Sequence, residues 1–164
     1  MALLPFAWVR GLASLLYPLR VLVAEDNGVN QRVALAMLRH LGDRADLAAN
    51  GLEAVEAVRR VHYDVIFMDL QVPELDGVDA TKQIIAEHPK GRRPRIIALT
   101  AFDEDRTACL AAGMDDYVSK PLKAETLEAA LLQLRLDPME VRQSVGLHDG
   151  IDVQGRSNPF GQRV

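Results

Sequence analysis

The chain has 164 residues, 49% apolar and 26% charged, with a net charge of -4, values of a soluble globular chain long enough for one full core. The acidic balance argues against a nucleic-acid partner, which selects for a basic face. The single cysteine, Cys109, excludes an internal disulfide and any cysteine-rich zinc or iron–sulfur centre.

Three zones differ in composition. Residues 1–19 are mostly apolar and carry Arg10 as their one charge. They make a poor signal peptide, because the start is uncharged and Arg10 breaks the apolar run. As a membrane span they are barely long enough and contain Pro5, Gly11 and Pro18. We expect an interaction helix or linker. Residues 137–164 hold four glycines, two prolines and no apolar run, the pattern of a flexible tail.

Residues 20–136 alternate short apolar runs with amphipathic stretches. Arg20–Ala24 predicts a buried strand that ends in acids. The helix over 29–41 is expected to turn Val33, Ala36, Met37 and Leu41 inward, and Gly42 stops it. Residues 45–48 make a weak second strand. Asn50, with Glu53 three positions on, caps a helix that buries Val55, Val58 and Val61. Residues 64–68 are the third strand. The helix over 76–88 faces inward with Val78, Thr81 and Ile85, Pro89 ends it, and KGRRP follows as a basic surface loop. Residues 96–99 are the fourth strand and 104–112 a short helix closed by Gly113. Tyr117 and Val118 lie in a fifth strand. The last helix, over 123–136, places Leu127, Ala130, Leu131 and Leu134 at helical spacing.

Five β–α repeats imply a parallel sheet with helices on both faces, and right-handed crossovers make it doubly wound. Such sheets bind ligands at the carboxyl ends of their strands. The polar residues collect there: Glu25, Asp26 and Asn27 after strand one, Asp69 after strand three, Thr100 after strand four, Lys120 after strand five. One aspartate after a strand is as good a helix cap or turn residue. Convergence at four strand ends is what points to chemistry. Close carboxylates repel, and a divalent cation removes the conflict. Oxygen-only donors suit Mg²⁺, and the added lysine and hydroxyl suit a phosphoryl group. His40, His62 and His88 fall at helix ends, where a cation is favourable, and Cys109 reads as packing. No nucleophile–histidine–acid set and no glycine-rich phosphate loop is present.

The motifs VLVAEDNGVNQ, YDVIFMDLQVPELDG, ALTA and AGMDDYVSKP, in that order, resemble the receiver domain of two-component response regulators. Asn27, Asn30, Gln31 and Gln71 make the chain most similar to receivers attached to hybrid sensor histidine kinases. The resemblance covers residues 20–136 and implies a flavodoxin-like, five-stranded sheet in the order 2-1-3-4-5. It implies a phosphorelay switch, with Asp69 as phosphoacceptor from a phosphohistidine. Mg²⁺, with Mn²⁺ as substitute, would be held by Asp26, Asp69, the Gln71 carbonyl and, through water, Glu25. Thr100 and Lys120 would bind the phosphoryl oxygens, and Tyr117 would turn inward when Thr100 moves. The Lys120–Pro121 peptide would be cis. The family's partners are histidine kinases or histidine phosphotransfer domains. A cytoplasmic location is expected, with membrane contact only through a larger protein or residues 1–19, and a dimer stays open.

The stretch between Thr100 and AAGMDDY looks about two residues short for such receivers, which puts the output step in question, and Val72 replaces the usual Met. Catalysis of anything beyond its own phosphorylation and dephosphorylation is not expected. Two alternatives remain: a degenerate receiver used only as an interaction module, and a phosphatase of the haloacid-dehalogenase type. The phosphatase would need a D-x-D motif after the first strand, where this chain has EDN.

Overall fold

The structure is a computed structural model and describes residues 17–89 and 91–136. Of the expected interaction helix or linker over 1–19, residues 1–16 lie outside the described residues, as does the tail over 137–164.

The element order is β1 (Arg20–Ala24), α1 (Gly28–His40), β2 (Arg44–Ala48), α2 (Gly51–Arg60), β3 (Val65–Asp69), α3 (Gly77–Glu87), β4 (Arg95–Thr100), a 3₁₀ turn (Asp103–Asp105), α4 (Arg106–Ala111), β5 (Asp116–Ser119) and α5 (Ala124–Leu136). All pairings are parallel, in the order β2-β1-β3-β4-β5. The doubly wound sheet expected from the β–α rhythm is therefore the observed one. Strand order reverses between β1 and β3, so a crevice opens at their carboxyl ends.

Alternation along the strands sorts the core into two layers. Leu22, Ala24, Ile66, Met68, Ile96 and Ala98 face α2 and α3 and pack on Val55, Val58 and Ile84. Val21, Val23, Val65, Phe67, Ile97 and Leu99 face α1 and α5 and pack on Leu38, Leu127 and Leu131. Each fully buried Val, Leu, Ile, Phe or Met side chain among them contributes about 1.5–3 kcal/mol. Among the described residues no helix is long and apolar enough to cross a membrane.

Several local expectations shift. In α1 the buried residues are Ala34 and Leu38, while Val33 is 40% exposed and Ala36 faces solvent. That helix is apolar over most of its circumference, so its sequence does not fix which stripe turns inward. In α3 the inward residues are Ala80, Thr81 and Ile84, with Val78 and Ile85 on the flank. The expected helix over 104–112 is split, because Asp105 N–H bonds back to the Phe102 carbonyl and tightens the first turn. The KGRRP loop is not wholly solvated: Arg93 forks onto the Asp115 carboxylate with two bonds of 2.8 Å. Cys109 is buried, as packing requires.

Candidate phosphoacceptor site

Asp69 is the last residue of β3, the central strand, and its side chain is buried. Its Oδ1 accepts from the Gln71 amide at 3.1 Å and its Oδ2 meets Lys120 Nζ. Lys120 Nζ also donates to Glu25 Oε2 at 2.9 Å, so one ammonium bridges two buried carboxylates. The Lys120 backbone is fixed by its N–H bond to the Thr100 carbonyl at 2.7 Å, and the Lys120–Pro121 peptide is cis.

Glu25 is tied from three directions. Its Oε1 accepts from the Asn27 amide at 3.0 Å, its N–H donates to the Ala48 carbonyl, and its carbonyl accepts from Gln31 Nε2 at 2.6 Å. Asn27 caps α1, taking the amides of Val29 and Asn30, and so launches the helix directly from the acidic turn. Asp26 stands exposed beside this pair. One carboxylate oxygen from each of Glu25, Asp26 and Asp69 lies within 4.8 Å of the other two.

Two glycines let the loop after Asp69 pack closely. A Cβ at Gly77 would sit 2.2 Å from the Asp69 carbonyl oxygen, and one at Gly51 only 2.0 Å from that of Leu75. The loop also holds Glu74 at φ 67, a left-handed conformation that a non-glycine residue adopts at a cost of about 1–2 kcal/mol. It leaves Gln71 exposed, with its amide on Asp69.

Burial pushes the Asp69 carboxyl above its usual range, and the hydrogen bonds from Lys120 and the Gln71 amide only partly offset this. Burial acts the same way on Glu25, but there the bonds from Lys120 and the Asn27 amide win and hold it below its usual range. For Lys120, burial is outweighed by its hydrogen bonds to Asp69 and Glu25, and its pKa is raised. Negative charge is in excess: three carboxylates face one ammonium, with oxygen donors only. That donor set fits a hard divalent cation such as Mg²⁺.

Thr100 ends β4 and is buried. Its hydroxyl lies 2.7 Å from Asp105 Oδ2 and 2.9 Å from the Phe102 carbonyl, and accepts from the Phe102 amide at 3.0 Å. Tyr117 pairs with Ala98 and Ser119 with Thr100, so Tyr117 and Thr100 share a sheet face. The Tyr117 ring is half-buried, and the Arg106 guanidinium stands 5.0 Å from its centroid. The sequence-predicted residues Glu25, Asp26, Asp69 and Lys120 thus meet at one point, while Thr100 and Tyr117 are engaged by the first residues of the β4–α4 segment. Asp105 was not singled out by sequence, since an acid before a short helix reads as an ordinary cap.

The response regulator receiver domain family matches residues 21–132. This chain belongs to that family. As a receiver domain it is a component of two-component phosphorelay signalling. The hybrid signal transduction histidine kinase H of Dictyostelium discoideum is 43% identical over 121 residues, which covers 70% of this chain but 9% of that protein. This receiver therefore corresponds to a small part of such a kinase. Among solved structures, the receiver domain of sensor histidine kinase PA1611 from Pseudomonas aeruginosa PAO1, with a magnesium ion in its active site cleft, is 48% identical. It superposes with a TM-score of 0.66, covering 72% of this chain and 98% of that one. The receiver domain of Ssk1 from Saccharomyces cerevisiae, crystallised with the histidine phosphotransfer protein Ypd1, is 32% identical, with a TM-score of 0.65 and coverage of 73% and 94%.

Proposed function

We propose that residues 20–136 form the receiver unit and accept a phosphoryl group from a phosphohistidine onto the Asp69 carboxylate. The observation that carries this reading is the buried Asp69 at the end of the central strand, with Lys120 spanning it and Glu25. A carboxylate oxygen of Asp69 attacks phosphorus in line. The P–N bond breaks and the imidazole nitrogen keeps its electron pair. Little covalent work falls to the protein, and rate comes from positioning and charge neutralisation.

Asp26, Asp69, the Gln71 carbonyl and, through water, Glu25 would hold Mg²⁺, or Mn²⁺ in its place, and the ion neutralises phosphoryl charge when bound. Lys120 exchanges its carboxylate partner for a phosphoryl oxygen. Thr100 donates its hydroxyl hydrogen to another, and Tyr117 fills the space it leaves. Hydrolysis of the aspartyl phosphate resets the switch, so its catalysis concerns only its own phosphorylation and dephosphorylation.

A cleft of ≈ 410 Å³ beside Glu25 and Lys120 is lined by Asn30, Val33, Pro121 and Leu122. Val29 and Val33 expose 59% and 40% of their surface on α1. An exposed apolar surface beside the charged centre suits a protein donor better than a free small molecule. A histidine kinase or histidine phosphotransfer domain meets that description, as in the yeast complex. The location that goes with a phosphohistidine made from ATP is the cytoplasm.

Acetyl phosphate labelling with Mg²⁺ tests the reading. Wild type should take up one phosphoryl group per chain and Asp69→Asn none. Equal labelling of the two proteins would remove Asp69 as the acceptor.

A further inference from the structure

Asp105 immediately precedes α4, where an aspartate usually caps the helix with its side chain. Here it makes no such bond. Its carboxylate is turned back to the Thr100 hydroxyl, 2.7 Å away. Its neighbour Arg106 stacks on the Tyr117 ring at 5.0 Å. Two consecutive residues thus engage two side chains on one face of the sheet, both implicated in the switch.

We infer that Asp105 and Arg106 form a latch on the resting state, in which the Asp105 carboxylate competes with the phosphoryl group for the Thr100 hydroxyl. The inference rests on the phosphoacceptor reading of Asp69 and deepens it into regulation. Threonine has one hydroxyl hydrogen to donate. In the resting state the Asp105 carboxylate at 2.7 Å and the Phe102 carbonyl at 2.9 Å both lie within its reach, and a bond to the charged acceptor is the stronger of the two. A phosphoryl oxygen on Asp69 needs the same hydrogen. Thr100 must leave Asp105 before it can serve the phosphoryl group, and Tyr117 must slide from under Arg106 to follow. Whatever free energy the latch holds is subtracted from the affinity of the switched state for its ligand. The compact turn drives this geometry: Asp105 N–H bonds to the Phe102 carbonyl at 3.2 Å, and Phe102 N–H to the Thr100 hydroxyl. That brings the carboxylate over Thr100 only five residues along the chain.

The test is beryllofluoride binding to the full chain in Mg²⁺, followed by titration calorimetry. Asp105→Ala should bind about tenfold tighter than wild type, the effect of one lost competing bond to a charged group. Asp105→Asn, which keeps the shape and loses the charge, should fall between them and serves if the alanine variant is poorly folded. Arg106→Ala should tighten binding by about two- to threefold. In a Thr100→Ala background the Asp105→Ala effect should vanish, a result that general loosening of the loop does not give. Wild-type binding that fails to tighten in the Asp105 variants overturns the latch alone. Equal tightening with and without the Thr100 hydroxyl overturns the competition as well. If wild type fails to bind beryllofluoride at all, the phosphoacceptor reading falls, and the latch with it.

Discussion

The two edges of the sheet use the same charged residue types in opposite ways. At the amino edge, acids and bases meet in pairs. Arg93 forks onto Asp115, whose Oδ2 also takes the Ile96 amide, and Arg135 reaches from the end of α5 to the buried Asp43. At the carboxyl edge, Glu25, Asp26 and Asp69 crowd within 4.8 Å and Lys120 is shared between two of them. The first arrangement locks elements together. The second holds uncompensated negative charge that only a cation or a rearrangement relieves. Stability and reactivity are thus assigned to different ends of the same strands.

The largest effect is expected from breaking the amino edge. Asp43 is 5% exposed and also accepts from the Leu19 amide, while its Oδ2 has no hydrogen-bond partner. Arg135 carries the neutralising charge and also donates to the Tyr17 carbonyl. Arg135→Met keeps the apolar stem and strands a buried carboxylate, which should cost about 3–5 kcal/mol in urea denaturation. Acetyl phosphate labelling of the protein that remains folded should be unchanged. Loss of labelling without loss of stability would show that the two edges are not separate.

A smaller effect is expected from relieving the carboxyl edge. An ion that binds the folded state alone stabilises it by RT ln(1 + [L]/Kd), about 1.4 kcal/mol at a tenfold excess over Kd. Mg²⁺ at millimolar levels should therefore raise the melting temperature, and removal with a chelator should reverse this. Asp26→Ala should lose most of the response, because Asp26 is the exposed member of the cluster and is not spent on Lys120. No shift in wild type would mean that the cluster is not a metal site.

Much of the carboxyl edge was legible in sequence, and the amino edge was not. Glu25, Asp26, Asp69, Thr100 and Lys120 could be placed because each directly follows an apolar strand, so local pattern alone puts it at the edge. The parallel topology then brings them together. Asp43 follows Gly42 in what reads as a plain turn, and its partner lies 92 positions away. Nothing local marks such a pair. Arg93, inside a basic loop, and Asp115, inside a motif, likewise gain meaning only when β4 and β5 align. The inward stripe of α1 was misjudged because Val33, Ala34, Leu35, Ala36, Met37 and Leu38 are all apolar. Tertiary contact, not periodicity, chooses among them. Asp105 escaped for a subtler reason: its use depends on a 3₁₀ turn whose first sign is a hydrogen bond.

The smallest effect belongs to the surface and turns on the sign of a titration. Arg59 of α2 forks onto Glu87 of α3 with bonds of 2.7 and 2.5 Å, and Gln83 adds one at 3.3 Å. The hydrogen bond from Arg59 is the main cause that takes the Glu87 carboxyl from 4.5 to about 2. A carboxyl lowered on folding contributes its full stabilisation above its unfolded pKa and loses it as pH falls through the folded one. The Glu87 contribution should therefore be complete above about pH 4.5 and fade towards pH 2. Asp69 runs the other way: burial raises its pKa, so its protonation favours the fold as the solution becomes acid. Comparing Glu87→Gln and Arg59→Gln with wild type across this window isolates the surface pair. Both variants should lose part of the acid-side slope, by similar amounts, and added salt should shrink the difference because the pair is exposed. A slope unchanged in both variants would assign the acid sensitivity of the fold to other carboxyls held low on folding, Glu25 among them.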